Sequence, residues 1–596
     1  MHQRLFRRYS YPWPEIYGWA TKRHAGIWTA GVSTFLMLIC LPTVRAQQAT
    51  PTYDPRQLEQ RFNDNQSEQS STEQPGLPMP KVARPAGSAA DRTPFFVLRR
   101  VSIAGANTIS RDLLAAAYQP YLGKKVSQAD LVTIASGISD IYRNAGFHLS
   151  RAIVPPQDIN RGSIRIQVIE GSIATVDLKG EGAEEFGVRQ MLRPVLAEQP
   201  SRLATLERAL LLINGRPGVR IQESTLDEIG NASGQFRLTV SVKTSHVYTS
   251  FGIDNLGASA VGPWQSYATA AFNSYLTPGD TLAVNLSTTP GDPRQLAFGR
   301  LSYDTPIGND GLRIGISGIF SDVWPGDYRH AFGDNTITEA LQLRASMVPL
   351  QSQRSSLTLT AAFDVSNVSE SDMFGAIYSD RIRTLTLTSD YRLQDSFGGN
   401  NYLTVAVRQG LDVMGASPHS DDFVSHFGAS PTFTALNAWF SRYQTLTDAW
   451  SLKISAAGQA ASGPLYLSQQ FYLGGAAFGR GYSAAETSGD NGMAGSLELR
   501  FDQKLNSRFL TGYQLYSFLD SGVAWNHGYN YTEGVSLVSA GGGIRFFLNN
   551  STQADLGIAV PLSYRAPDNY GRDVRVLFSI TSALELCPTR ASTRCF

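Results

Sequence analysis

The sequence predicts a transmembrane antiparallel β-barrel of about 16 strands, preceded by two similar α+β modules. Three observations carry that expectation. Basic residues followed by a short apolar run open the chain, as an export signal would. Helical periodicity ends near Ser245, and from there to Leu586 segments of about ten residues alternate polar and apolar. The 596 residues are only 17% charged, with 54 glycines and a net charge of +1. That balance suits a wall with lipid on one side and water on the other. It also argues against a nucleic-acid binder, which shows a clustered basic surplus.

The elements follow in order. Arg4, Arg7, Arg8, Lys22 and Arg23 precede the run "IWTAGVSTFLMLICL", and Val44-Arg45-Ala46 has the small-residue spacing of a signal-peptidase site. Residues 1–46 therefore read as a signal peptide cleaved after Ala46. A membrane anchor is the alternative, but the run is short of the roughly 20 residues a spanning helix needs. Cys40 lies in the signal, which leaves Cys587 and Cys595. These two either close a small disulfide loop in an oxidising compartment or stay thiols in a frayed tail, residues 587–596. Residues 47–92 are polar: Pro55 to Ser67 has room for one short helix, and Glu68 to Arg92 reads as an extended linker.

Residues 93–244 repeat one supersecondary unit. In 93–171 a strand "FFVLRRVSIAG" leads to a helix in "SRDLLAAAYQPYLG". A second helix, in "SQADLVTIASGISDIYRNAG", has Ser127 as N-cap, Leu131, Ile134 and Ile138 on one face, and Gly146 as its stop. Strands "HLSRAIVP" and "GSIRIQVIEG" close the unit. In 172–244 the order returns, with "IATVDLKG", helices around "GVRQMLRPVLAE" and "LATLERALLLING", then "VRIQES" and "FRLTVSVKT". Such modules leave strand edges open for another chain to pair with.

In 245–586 the apolar positions fall on alternate residues. Val247, Thr249, Phe251 and Ile253 share one face, as do Leu282, Val284, Leu286 and Thr288 after the turn "TPGD", and Leu312, Ile314 and Ile316 after "GNDG". Any single segment would fit a soluble β-sandwich. So many in succession, with no helix between them, point to closure into a barrel, which leaves no strand edge in lipid.

One pattern carries chemistry. In "QQFYLGGAAFGRGY", Gly479 and Gly481 flank Arg480, and Tyr482 follows. Glycines on both sides allow a narrow tip that presents the guanidinium to a ligand or a carboxylate. Further on, in "YQLYSFLDSGVAWN", Phe518, Asp520 and Gly522 stand at i, i+2 and i+4 and face one way. An aspartate is costly against lipid, so this face is expected to line the lumen, with Gly522 making room for a guanidinium beside Asp520. The long loop is expected to fold back into the barrel and pair Arg480 with Asp520. The alternative leaves Arg480 in solvent and Asp520 facing lumenal water.

These residues resemble the outer-membrane transporters of two-partner secretion, the TpsB family of ShlB, FhaC and HecB, whose superfamily also contains the barrel-assembly insertases. "LGGAAFGRGY" is similar to the loop motif that usually reads Val-Arg-Gly-Tyr or Phe, and "FLDSG" to the partner motif Phe-x-Asp-x-Gly. "VPPQDINRGSIRIQVIEG" resembles the end of a first POTRA module, and "NLGASAVGPWQSYATAAFNSYLTPGDTL" a first barrel hairpin. The resemblance implies a first POTRA at 93–171, a second at 172–244 and an outer-membrane barrel at 245–586. It further implies a loop-tip arginine, Arg480, paired with Asp520, and a plug helix, for which Pro55 to Ser67 is the candidate. The implied function is export of one large adhesin- or haemolysin-type exoprotein, recognised through its N-terminal secretion domain, across the outer membrane of a Gram-negative bacterium. Outer-membrane lipid, periplasmic chaperones and the machinery that inserts the barrel are the other implied partners; no nucleic acid and no cofactor is implied. Two departures stand out. Gly479 replaces the usual Val, and the last alternating strand, "RVLFSITSAL", is followed by "ELCPTRASTRCF", so that Leu584 rather than Phe596 takes the place of the terminal aromatic.

Nothing in the sequence suggests an enzyme. No G-x-x-x-x-G-K-[ST], Gly-x-Ser-x-Gly, H-E-x-x-H or zinc-spaced cysteine pair occurs. A barrel-assembly insertase is the main alternative function, and a diffusion porin with appended domains the second.

Overall fold

The computed structural model describes residue 80 and residues 91–159, 161–230, 233–419, 421–527, 534–549, 551–563 and 574–586. The expected signal, the Pro55 to Ser67 helix, most of the linker, and the tail with Cys587 and Cys595 lie outside the described residues.

Each module is a three-stranded sheet covered by helices. In the first, Arg100–Ala104 pairs parallel with Ser163–Ile169, which pairs antiparallel with Arg151–Ile153. In the second, Ser172–Lys179, Gln235–Thr244 and Val219–Glu228 repeat that order and those directions. The helix Gln128–Asn144 starts in a capping box: Asp130 N donates to Ser127 Oγ at 3.2 Å, and Ser127 N donates to Asp130 Oδ2 at 2.8 Å. Leu131, Ile134, Ile138 and Tyr142 are buried along its inner face.

Two expected helices are shorter than the sequence patterns suggest, and proline is the reason. The first ends after Arg111–Ala115, with only a 3-10 turn at Gln119–Tyr121, because Pro120 supplies no N–H and restricts Gln119. The pattern around Pro194 splits into Val188–Met191 and Arg193–Ala197 for the same reason. The expected strand "FFVLRRVSIAG" also divides: Phe96–Val97 pairs with Lys125–Val126, apart from Arg100–Ala104. The modules are stitched together. Leu149 of the first packs in the core of the second, Leu203 N donates to Gly146 O at 2.9 Å, and Arg151 pairs with Glu228 at 2.8 Å.

Sixteen antiparallel strands follow, from Val247–Asp254 to Arg575–Leu586, and the last pairs with the first to close the barrel. Phe251, Leu286, Ile314, Leu343 and Leu387 are exposed on its outer face, as lipid contact requires. The intervening positions, such as Thr269, Asn285, Arg344, Thr386 and Arg408, line an inner cavity of about 2510 Å³. Leu584 lies in the closing strand, opposite Thr249.

The second module marks one rim, since it ends at Thr244 and the barrel begins at Val247. It grips the short turns there. Arg208 donates from Nε to Asp310 Oδ1 at 2.9 Å and from Nη2 to Val348 O at 2.7 Å. The buried His246 has its ring nitrogens 2.7 Å from Asn273 O and 2.9 Å from Glu185 Oε2. The longest connections, 411–433 and 462–490, rise from the opposite rim.

Candidate functional site: a loop held on the inner wall

The connection 462–490 folds back into the barrel. Its stalk is a two-stranded ribbon in which Phe471–Leu473 pairs with Thr487–Gly489. The Gln459 side chain donates to Gln469 O at 3.1 Å and Asp490 O at 3.0 Å, tying both legs to the wall. At the tip, Gly479 has φ +92°, a conformation that L side chains rarely adopt. Tyr482 N donates to Gly479 O at 2.9 Å and closes the turn that presents Arg480.

Arg480 meets Asp520 on the inner face of the strand Leu510–Trp525. Arg480 Nε donates to Asp520 Oδ2 at 2.9 Å and Nη2 to Oδ1 at 2.8 Å, a bidentate pair. The backbone amides of Arg480 and Gly479 add bonds of 3.0 and 3.3 Å to Oδ2. Ser496 Oγ donates to Oδ1 at 2.8 Å, so the carboxylate is saturated. Asp520 is fully buried and the Arg480 side chain is 11% exposed. The guanidinium carbon stands 3.5 Å from the centre of the Phe518 ring, which supplies a cation–π face.

The pair belongs to a larger network. Glu498 accepts from Arg480 Nη1, from Arg500 Nε at 2.8 Å and from Arg545 Nη1 at 2.9 Å. Arg545 also donates to Asp555 at 2.8 Å and lies over the Tyr516 ring, whose hydroxyl donates to Asp555 at 2.7 Å. Three guanidinium groups thus face three carboxylates, which is how so many ions tolerate burial together. Glycines fit the aromatic layer between strands: a Cβ at Gly541 would stand 2.6 Å from Phe518 Cζ, and one at Gly543 2.5 Å from the Tyr516 hydroxyl.

The structure brings together all seven residues singled out in the sequence but revises one role. Gly522 does not make room for the guanidinium. A Cβ there would stand 2.7 Å from Leu473 Cδ2 and 3.1 Å from Ala494 Cβ, so the gap is filled by the loop's stalk. The seat of Arg480 is the Phe518 ring. Gly481 is needed for contact and not for a left-handed backbone: a Cβ there would stand 2.7 Å from Ser539 Cβ and 2.9 Å from Pro561 N, whereas its φ lies outside the positive range that Gly479 occupies. Tyr482 reaches past the tip and donates to Val538 O at 2.9 Å. Sequence reasoning missed Ser496, Glu498, Arg500, Arg545 and Asp555. The alternation in "GSLELRFD" held a signal, because Ser496, Glu498 and Arg500 share one face and no lipid-facing strand carries two charges there. Nothing local marks Arg545 or Asp555 as their partners.

Comparison with known proteins agrees with the barrel and the module that precedes it. The family described as "Haemolysin secretion/activation protein ShlB/FhaC/HecB" matches residues 235–546, more than half of the chain. The family "POTRA domain, ShlB-type" matches residues 96–171. The heme/hemopexin transporter protein HuxB of Haemophilus influenzae is 24% identical over 481 residues, covering 78% of this chain and 84% of that protein. Among solved structures, CdiB from Escherichia coli superposes with a TM-score of 0.72 at 18% identity, over 91% of this chain and 100% of that one. CdiB from Acinetobacter baumannii gives a TM-score of 0.64 at 19% identity, over 90% and 100%. Those two likenesses establish the fold.

Proposed function

Because the chain belongs to the haemolysin secretion/activation family of ShlB, FhaC and HecB, and is an outer-membrane transporter of two-partner secretion, we propose how it handles its passenger. The two modules capture one large exoprotein in the periplasm, through its N-terminal secretion domain, at their open strand edges. The barrel then passes the chain outward unfolded, without nucleotide hydrolysis, and folding outside the cell supplies direction. Periplasmic chaperones and the barrel-assembly machinery serve the protein's own insertion. HuxB carries the name of a heme/hemopexin transporter and matches over most of its length, so a heme- or hemopexin-binding exoprotein is the passenger class to test first.

The observation that carries this reading is the Arg480 network. It holds the loop in the lumen by reversible ion pairs and hydrogen bonds, so the pore is obstructed at rest and can be cleared. The test is co-expression of this chain with the large exported protein encoded beside it, measuring passenger in the medium against passenger in the periplasm. Release into the medium only when the barrel is present supports the proposal. An assembled barrel that releases none, and whose loss depletes unrelated barrel proteins, establishes the insertase instead.

A further inference from the structure

The seam where the last strand meets the first is clasped by side chains, in addition to its backbone ladder. The ladder runs from Val247 opposite Leu586 to Asp254 opposite Ser579. Above it, Asn255 continues the pattern with its carboxamide. Asn255 N donates to Phe578 O at 3.1 Å, Phe578 N donates to Asn255 Oδ1 at 2.8 Å, and Asn255 Nδ2 donates to Val576 O at 2.7 Å. One amide side chain thus pairs with the facing strand as a peptide unit would.

Midway down, Tyr267, Gly252 and Thr581 form one row across three strands. A Cβ at Gly252 would stand 2.4 to 2.6 Å from ring atoms of Tyr267, so the ring lies directly over the glycine. It crosses the first strand, and its hydroxyl comes within 3.2 Å of Thr581 Oγ1 on the last. At the bottom, Lys243 of the second module pairs with Glu585 of the last strand at 2.9 Å. That pair is solvent-exposed and adds little by itself.

We propose that Asn255, Tyr267 and Thr581 are positioning residues for export: they keep the seam shut while the passenger moves, so that it leaves along the barrel axis and not sideways into lipid. This rests on the transporter reading above. Gly252 belongs to the device, because any larger residue removes the strap.

The test is a cysteine pair, Ser250→Cys with Ala583→Cys, in a Cys587→Ser, Cys595→Ser background. These two positions are direct cross-strand partners, at a Cα separation of about 4.5–5.5 Å that a disulfide spans. Passenger secretion by the oxidised barrel within about twofold of the reduced barrel is expected, a difference of about 0.4 kcal/mol. Secretion lost on oxidation and restored by reductant overturns the proposal. If even the unsubstituted barrel secretes nothing, the transporter reading fails. The clasp is then judged on a passenger-free readout: the temperature at which the folded band is lost in detergent gels should fall in Asn255→Ala with Tyr267→Phe. No fall overturns the clasp.

Discussion

Replacing Asp520 with Asn should release the loop while leaving Arg480 in place to report it. The two oxygens of Asp520 accept five hydrogen bonds: Oδ2 from Gly479 N, Arg480 N and Arg480 Nε, and Oδ1 from Arg480 Nη2 and Ser496 Oγ. Asn keeps the shape but offers one acceptor oxygen, and whichever way it turns, its NH₂ faces donors. The bidentate pair is lost, and Arg480 keeps only part of its charge compensation, at Glu498. Removing one partner of a buried ion pair typically costs about 3–5 kcal/mol. At 1.4 kcal/mol per tenfold, that shifts loop docking by roughly a hundredfold to a few thousandfold toward the displaced state. Trypsin added to intact cells reads the outcome. The peptide bond after Arg480 is protected in the wild type, where the side chain is 11% exposed, and should be cut in Asp520→Asn, as mapped by mass spectrometry of the fragments. Equal protection in both proteins would refute the reasoning, since the loop would then be held by its stalk alone.

Three further outcomes follow from the same geometry. Gly481→Val should leave the tip unseated, because even a Cβ meets Ser539 and Pro561, and Arg480 should become trypsin-sensitive to a degree similar to Asp520→Asn. Tyr482→Phe removes the hydroxyl that donates to Val538 O at 2.9 Å and accepts from Ser563 N at 3.3 Å, bonds worth about 1 kcal/mol each, and should give only partial cleavage in the same assay. In the first module, burial pushes the Glu170 carboxyl up, but the amides of Thr108 and Asn107 and the Tyr142 hydroxyl more than offset it and hold it below the ordinary carboxylate value. A depressed folded value means stabilisation that is present above the unfolded value of 4.5 and lost as pH falls through the folded one. Hydrogen exchange at Asn107 and Thr108 should therefore lose protection on acidification, and Glu170→Gln should abolish that pH dependence.

The barrel was legible because lipid imposes a period of two on every strand, and the outer faces that hold Leu286, Ile314 and Leu387 repeat it from strand to strand. The modules were legible through Ser127, whose cap and following apolar face locate a helix with little help from the rest of the chain. Helix lengths near Pro120 and Pro194 were overread, because apolar periodicity persists across a residue that has no N–H to donate. At the site, the lumenal direction of Asp520 followed from cost alone, and a positive residue between two glycines was the natural candidate to meet it. The Glu498 hub and Arg545 were not legible. Which of many lumenal charges meet depends on strand register and barrel curvature, and no local pattern encodes either. The place of Leu473 over Gly522 was hidden for a similar reason: it depends on how deeply the stalk enters.

The central claim is that the passenger travels through the lumen that the loop occupies at rest. Photo-crosslinking of an export-arrested passenger tests it most directly, with the crosslinker placed in turn at adjacent residues of one strand. Thr386 faces the inner cavity, whereas Leu387 is exposed on the outer wall. Passenger crosslinked at Thr386 and absent at Leu387 is the result this account predicts. Crosslinking at Leu387, or at neither position while the passenger still reaches the medium, would contradict it.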